Sequence, residues 1–201
     1  MLERLRQYVS GYVPLTDEEF ALLAENITIR TFGRRELLVR AGEKELYMNF
    51  VVKGLVRMYF YNGKAEVVTN IAKEGHLISS SAAYLSGQPS NYFVETLEAT
   101  TLLSLSRDDL DKIYGRSSRI ERLGRLMTTF FVLQQEEWEQ EWMRLDTRER
   151  FVRFVEANPE LVSRVPQKYL ASYLNMKPET FSRQKNLLRT SRPPAVKTGK
   201  P

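Results

Sequence analysis

Near the C-terminal end of the sequence, Glu179, Ser182, Arg183 and Asn186 recur at steps of three and four. A helix carrying them presents all four on one side. Their side chains are of the kinds that read base edges. Arg183 can donate two parallel bonds to guanine O6 and N7, and Glu179 can accept from cytosine N4, each worth about 1–3 kcal/mol of discrimination. Lys168, Lys177, Lys185 and Arg189 flank them and suit phosphate oxygens. A solvated helix of mixed charge is the competing reading, and the surrounding text decides against it.

That text is QKYLASYLNMKPETFSRQKNLL, from Gln167 to Leu188. Tyr169, Leu170, Tyr173 and Leu174 form one apolar face, and Phe181, Leu187 and Leu188 a second, as expected of two short helices packed crosswise. Ala171 is small where the helices approach. Asn175 tolerates the left-handed backbone a tight turn requires, and Pro178 fits the first turn of the following helix, where its missing amide costs nothing. The pattern is that of a helix-turn-helix. Lys177 departs from it, since Ser or Thr would cap the second helix better.

Charge is distributed to match. Residues 1–115 hold thirteen basic and fifteen acidic groups, whereas residues 116–201 hold seventeen and ten. From Val165 onward eight basic residues face one acid, Glu179, so a polyanion such as double-stranded DNA is the expected partner.

The elements that position this segment are legible upstream. Thr16-Asp17-Glu18-Glu19 reads as a capping box opening a helix. Between about Ile27 and Leu105 the sequence breaks into short runs of Val, Ile, Tyr, Phe and Thr punctuated by glycines, the text of a sandwich, jelly roll or barrel. Asn62-Gly63 marks a hairpin. Within LVRMYFY, Val56, Met58 and Phe60 share one face and Leu55, Arg57, Tyr59 and Tyr61 the other. Ser106-Arg107-Asp108-Asp109 opens another helix, and a long helical run occupies Ser117 to Leu145. In it Ile120, Leu123, Met127 and Phe130 form a seam that a partner helix would cover, or that packs on the chain's own β-domain. Asp146 and Glu149 form a further capped start.

Several classes of function are excluded by composition. The chain has 201 residues, no Cys and one His, which removes disulfides, thiol catalysis, iron–sulfur clusters and a histidine-built metal site. No cofactor and no metal are expected. No nucleophile elbow, phosphate-binding glycine loop or Ser with a base is present, so an enzyme is not expected. There is no apolar run long enough to span a membrane and no secretory leader, which indicates a cytoplasmic protein without a membrane partner.

The order β-rich domain, long helix, helix-turn-helix resembles the cyclic-AMP receptor protein and fumarate–nitrate regulator (Crp/Fnr) family of bacterial transcription factors. The resemblance rests on Arg40-Ala41-Gly42-Glu43, on Phe50-Val51-Val52-Lys53-Gly54-Leu55-Val56-Arg57, and on Leu170-Ala171 through Glu179-Thr180-Phe181-Ser182-Arg183. It implies an α+β fold: a cyclic-nucleotide-binding-like β-roll sensor over residues 1–115, a connecting dimerisation helix over 116–145, a winged-helix-like helix-turn-helix over 146–190, and a disordered basic tail over 191–201. It further implies a homodimer on a pseudo-palindromic site, with RNA polymerase as another partner.

Two features depart from the family. Arg189-Thr190-Ser191-Arg192-Pro193-Pro194 stands where a wing hairpin would be. In the ligand loop, Ser80 falls at the family's ribose-binding Glu, and Ser90-Asn91 fall at its phosphate-binding Arg-Ser pair. An anionic phosphate would lose its bidentate partner there, which argues against cyclic AMP. Ser79, Ser80, Ser81, Ser90 and Asn91 remain as candidate contacts for an unidentified polar effector, with a plain strand-to-helix turn as the alternative. The rival to a DNA-binding regulator is an effector-binding or protein-interaction module without specific DNA binding.

Overall fold

A computed structural model describes the backbone of residues 1–191 and side chains through residue 188; the expected tail lies outside the described residues beyond Ser191. Contacts divide the chain into two compact units, Met1–Gln140 and Glu141–Pro201.

The first unit opens with α1 (Leu2–Ser10) and α2 (Asp17–Glu25). The strands are β1 (Ile27–Phe32), β2 (Leu37–Val39), β3 (Tyr47–Lys53), β4 (Val56–Asn62), β5 (Ala65–Ala72) and β6 (Leu77–Ile78), then, after α3 (Ser81–Ser86), β7 (Phe93–Thr96) and β8 (Thr100–Ser106). Helices α4 (Arg107–Tyr114) and α5 (Ser118–Arg144) follow. The Thr16–Glu19 capping box forms in both directions, and Ser106 accepts the Asp109 amide to start α4.

Two antiparallel four-stranded sheets, ordered β1-β8-β3-β6 and β2-β7-β4-β5, make the roll. Between them lie Val39, Val51, Val56, Ala72, Ile78, Val94 and Leu102. A second core covers the opposite side of the first sheet, where Phe50, Val52 and Leu103 meet Leu5, Val9, Phe20, Leu23, Ile113, Ile120 and Leu123 from the helices. Successive residues of β3 and β8 therefore serve different cores, and each side chain removed from water contributes roughly 1.5–3 kcal/mol. Gly54 (φ +107°) joins β3 to β4, and a Cβ there would lie 2.8 Å from the Thr100 Cα.

Three details differ from the sequence reading. Helix α1 was not foreseen, although Leu5 and Val9 are a turn apart and both buried. The hairpin is present, but Asn62 pairs with Ala65, so Gly63 (φ 61°) and Lys64 are its central residues. Gly occupies the first central position because that position needs positive φ. Finally, Arg57 and Tyr59 are buried along with Val56, so β4 is covered on both sides near its start.

The second unit contains α6 (Thr147–Ala157), α7 (Pro159–Arg164), α8 (Gln167–Tyr173) and α9 (Pro178–Ser191). Asp146 and Glu149 form the capping box of α6. Arg150 donates to the carbonyls of Trp142 and Leu145 at 3.1 and 2.9 Å, satisfying acceptors at the end of α5. Asn158-Pro159 ends α6 and, with Pro159 at the first position, begins the unforeseen α7. Among the described residues no strand follows β8, so no wing hairpin forms there.

Candidate functional site

Helices α8 and α9 are joined by a turn in which Asn175 adopts φ 49°, the left-handed conformation expected of it. The Met176 amide donates to the Ala171 carbonyl at 2.9 Å and the Asn175 amide to that of Ser172 at 3.0 Å, closing the end of α8. Leu170, Ala171, Leu174 and Phe181 are buried, and the Phe181 ring meets Phe151 of α6 edge to face at 5.1 Å. With Phe181 fixed inward, residues one and two positions on must point outward.

Glu179, Ser182, Arg183 and Asn186 are exposed and border one open groove, together with Pro178 and Leu187. Leu187 does not join the apolar face as expected; it is 54% exposed, because it falls on the same side of α9 as Arg183. Lys168 and Lys177 are exposed, with the Lys168 ammonium 4.7 Å from the Tyr169 ring centroid, and Lys185 is half-buried. The side chain of Arg189 lies outside the described residues.

A second polar concavity brings Lys177, Thr180, Arg183 and Gln184 together with Thr147 and Arg148 at the start of α6. Sequence reasoning missed those last two. They are thirty positions from the turn, and only the packing of α6 on α9 through Phe151 and Phe181 brings them there.

In the first unit Ser79 and Ser80 are buried, and Ser79–Ser81 border a cavity of about 270 Å³ with Met58, Asn70 and Tyr92 from the roll and Phe131 and Gln135 from α5. Among the described residues no charged side chain borders it. Ser90 and Asn91 do not join this group. The Ser90 hydroxyl donates to the Tyr92 carbonyl at 2.9 Å and accepts the Tyr92 amide at 3.0 Å, so it is consumed by its own turn, and Asn91 is exposed.

Glu45 is the residue here that the sequence did not reveal. It is buried on the chain preceding β3, and its carboxylate accepts the amides of Ser80 and Tyr47 at 3.2 and 3.3 Å. Burial raises its pKa from the usual carboxylate value, while those two amides and the positive charge of Arg30 oppose the rise. The Arg30 guanidinium lies over the rings of Tyr47 and Phe32, at 4.4 and 4.9 Å. Ser79 donates to the Met48 sulfur at 3.2 Å.

The expected dimer seam divides. Ile120 and Leu123 are 1% and 3% exposed within the unit's own core, and Met127 packs beside them, so they are unavailable to a partner helix. Phe130 remains 41% exposed, and Leu133, one turn further on, 52%. His76 is exposed, with its Nδ1 3.3 Å from the Glu74 carbonyl. Among the described residues no cluster of three metal-ligating side chains occurs, and no helix is long and apolar enough to cross a membrane.

Residues 29–117 match the family described as the cyclic nucleotide-binding domain. Solved structures share the fold over most of the chain. FixK2 from Bradyrhizobium japonicum matches with a TM-score of 0.71 at 22% identity, covering 82% of this chain and 85% of that one. The c-di-GMP-responsive global regulator CLP of Xanthomonas campestris matches with a TM-score of 0.68 at 16% identity, over 87% and 92%. The catabolite activator protein of Thermus thermophilus matches with a TM-score of 0.57 at 20% identity, over 89% and 86%. No curated protein matches the chain in sequence. Over residues 29–117 the roll is thus similar to a cyclic nucleotide-binding domain, and the chain shares its fold with these solved structures.

Proposed function

We propose that the chain is a sequence-specific, DNA-binding transcription regulator of the Crp/Fnr family, acting as a homodimer on a pseudo-palindromic site. The observation that carries this reading is the outward face of α9, where Glu179, Ser182, Arg183 and Asn186 line one groove. Helices α8 and α9 act as a helix-turn-helix, with α9 entering the major groove. Arg183 reads guanine and Glu179 cytosine, while Ser182 and Asn186 contact neighbouring base edges. Lys168, Lys177, Lys185 and Arg189 hold phosphates and fix register. Thr147 and Arg148, beside Lys177, join them on the backbone. A cytoplasmic location and RNA polymerase as a further partner belong to the same reading.

The serine loop and its cavity form the effector site. An anionic cyclic nucleotide finds no guanidinium there, so a ligand of different chemistry modulates the protein. Such a ligand would touch Phe131 and Gln135 of α5, the helix that leads in sequence to α6.

Selection of the purified chain against a random double-stranded DNA pool at near-physiological salt tests the proposal. Enrichment of a two-fold symmetric motif with half-sites about one helical turn apart is expected. Recovery of unenriched DNA would leave only electrostatic attraction and favour an interaction module without specific DNA binding.

A further inference from the structure

The polar cavity beside the serine loop has an apolar neighbour. A second cavity, of about 120 Å³, shares four wall residues with it: Met48, Leu77, Ser81 and Phe131. The two differ sharply in chemistry. The first offers the hydroxyls of Ser79–Ser81, the amides of Asn70 and Gln135 and the Tyr92 phenol. The second is walled by side chains such as Leu5, Val9, Phe50, Leu103 and Leu123, and its polar groups are confined to Ser81, Tyr84, Tyr114 and Thr128. The Tyr84 hydroxyl donates to the Leu105 carbonyl at 3.3 Å.

Among the described residues neither wall contains a charged side chain. A carboxylate or phosphate buried there would lose its water without gaining a cation, a loss no neutral hydroxyl restores. An apolar molecule without a head group would leave the hydroxyls and amides of the first cavity without a ligand partner. An apolar cavity of about 150 Å³ admits a benzene ring, and the second chamber, at about 120 Å³, is of a size for a short alkyl chain.

From these observations we infer that the paired cavities bind an uncharged amphipathic small molecule, with a hydroxyl or amide head on Ser79–Ser81 and an apolar body passing Ser81 into the chamber beneath α5. This rests on the proposal that the serine loop is the effector site. It adds the ligand's chemical class, and it assigns α1, α4 and α5 side chains to the binding surface. Phe131 borders both compartments, so occupancy of either is felt by α5.

The test is calorimetric titration of the full chain with the series 1-butanol, 1-pentanol and 1-hexanol, with hexanoate as the charged counterpart of the last. Affinity is expected to rise about fourfold per added methylene until the chamber is filled. Hexanoate is expected to bind at least tenfold more weakly than 1-hexanol. Ser81→Phe, which plugs the junction, lowers 1-hexanol affinity at least tenfold. Ser79→Ala, a smaller change that leaves the core intact, weakens the alcohols severalfold while preserving the chain-length trend. Thermal melting of both variants establishes that they fold. A flat response to chain length, equal binding of hexanoate, indifference to Ser81→Phe, or displacement of 1-hexanol by micromolar cyclic AMP would each overturn the inference. DNA selection is read separately. A chain that selects a palindrome but ignores the alcohols loses this inference alone, and one that binds the alcohols but no DNA motif loses the regulator reading instead.

Discussion

The Glu45 carboxylate accepts the backbone amide of Ser80 at 3.2 Å, joining residues thirty-five positions apart, both of them buried. The acid thereby anchors the serine loop from below without bordering its cavity. Because burial raises its pKa in the fold above the ordinary 4.5, the protonated form is favoured there. Its contribution to stability is fully present below about pH 4.5 and is lost as pH rises through the elevated folded value. In Glu45→Gln this component disappears. Urea unfolding of the two proteins between pH 4 and pH 8 should therefore give a stability difference, wild type minus variant, that shrinks with rising pH above 4.5; parallel profiles would remove Glu45 from this role.

Arg57 is 2% exposed, on the side of β4 away from the roll interior. Its Nε and Nη2 both donate to Glu95 Oε2, at 2.7 and 2.5 Å, and its Nη1 donates to Glu66 at 2.6 Å, while Tyr59 stacks 3.9 Å from the guanidinium carbon. Burial, followed by the charge of Glu95, pushes the Tyr59 phenol up to about 12. Arg57→Met would remove the buried guanidinium that both acids bind across the sheet, and breaking a buried pair of this kind costs about 3–5 kcal/mol. Glu66→Gln should cost less than Glu95→Gln, since Glu66 is the more exposed acid. Chemical denaturation of the three variants checks the order.

What the sequence made legible follows from how local each signal is. Capping boxes at Thr16 and Asp146, the Ser106 cap, the left-handed Asn175 and Pro178 at a helix start involve residues within four positions, and all are observed. Facing on α9 was legible for the polar residues, because a single buried anchor, Phe181, fixes the phase of the whole helix. It misled at Leu187, where hydrophobic type and helical phase disagree and phase prevails. The serine loop was placed, but its division was not: Ser90 turns its hydroxyl onto Tyr92, a contact set by backbone geometry. The burial of Glu45 and of Arg57 escaped, as the burial of a charge depends on strands brought together from distant text. The helical seam was read with the right period but without knowledge that α1 and α2 already cover its first half.

That coverage separates two effects on α5. Leu133 is half-exposed in a strip with Phe130, whereas Ile120 lies inside the core. Under the proposed homodimer, Leu133→Glu puts a charge into the interface and shifts the protein toward monomer in sedimentation while leaving its melting as a monomer little changed. Ile120→Ala removes core volume, costs about 2–5 kcal/mol, and leaves the association state as it was. Dissociation by Ile120→Ala with none by Leu133→Glu would return the seam to the residues first expected.

The groove on α9 also separates affinity from specificity. Arg183 borders both the groove with Glu179 and the concavity with Lys177, and the proposed DNA binding assigns it to base reading. Lys185 borders neither and is half-buried, and the proposed DNA binding assigns it to a phosphate. Log affinity for the selected site should fall linearly with log salt, and Lys185→Ala should lower the slope by about one while preserving base preference. Arg183→Ala should instead cost about 1–3 kcal/mol at one position of each half-site and relax preference for guanine there. Competition of wild-type and variant proteins for sites substituted at single positions, across a salt series, measures both quantities in one experiment. Equal losses at every position in Arg183→Ala would make this residue a phosphate contact and pass base reading to Glu179, Ser182 and Asn186.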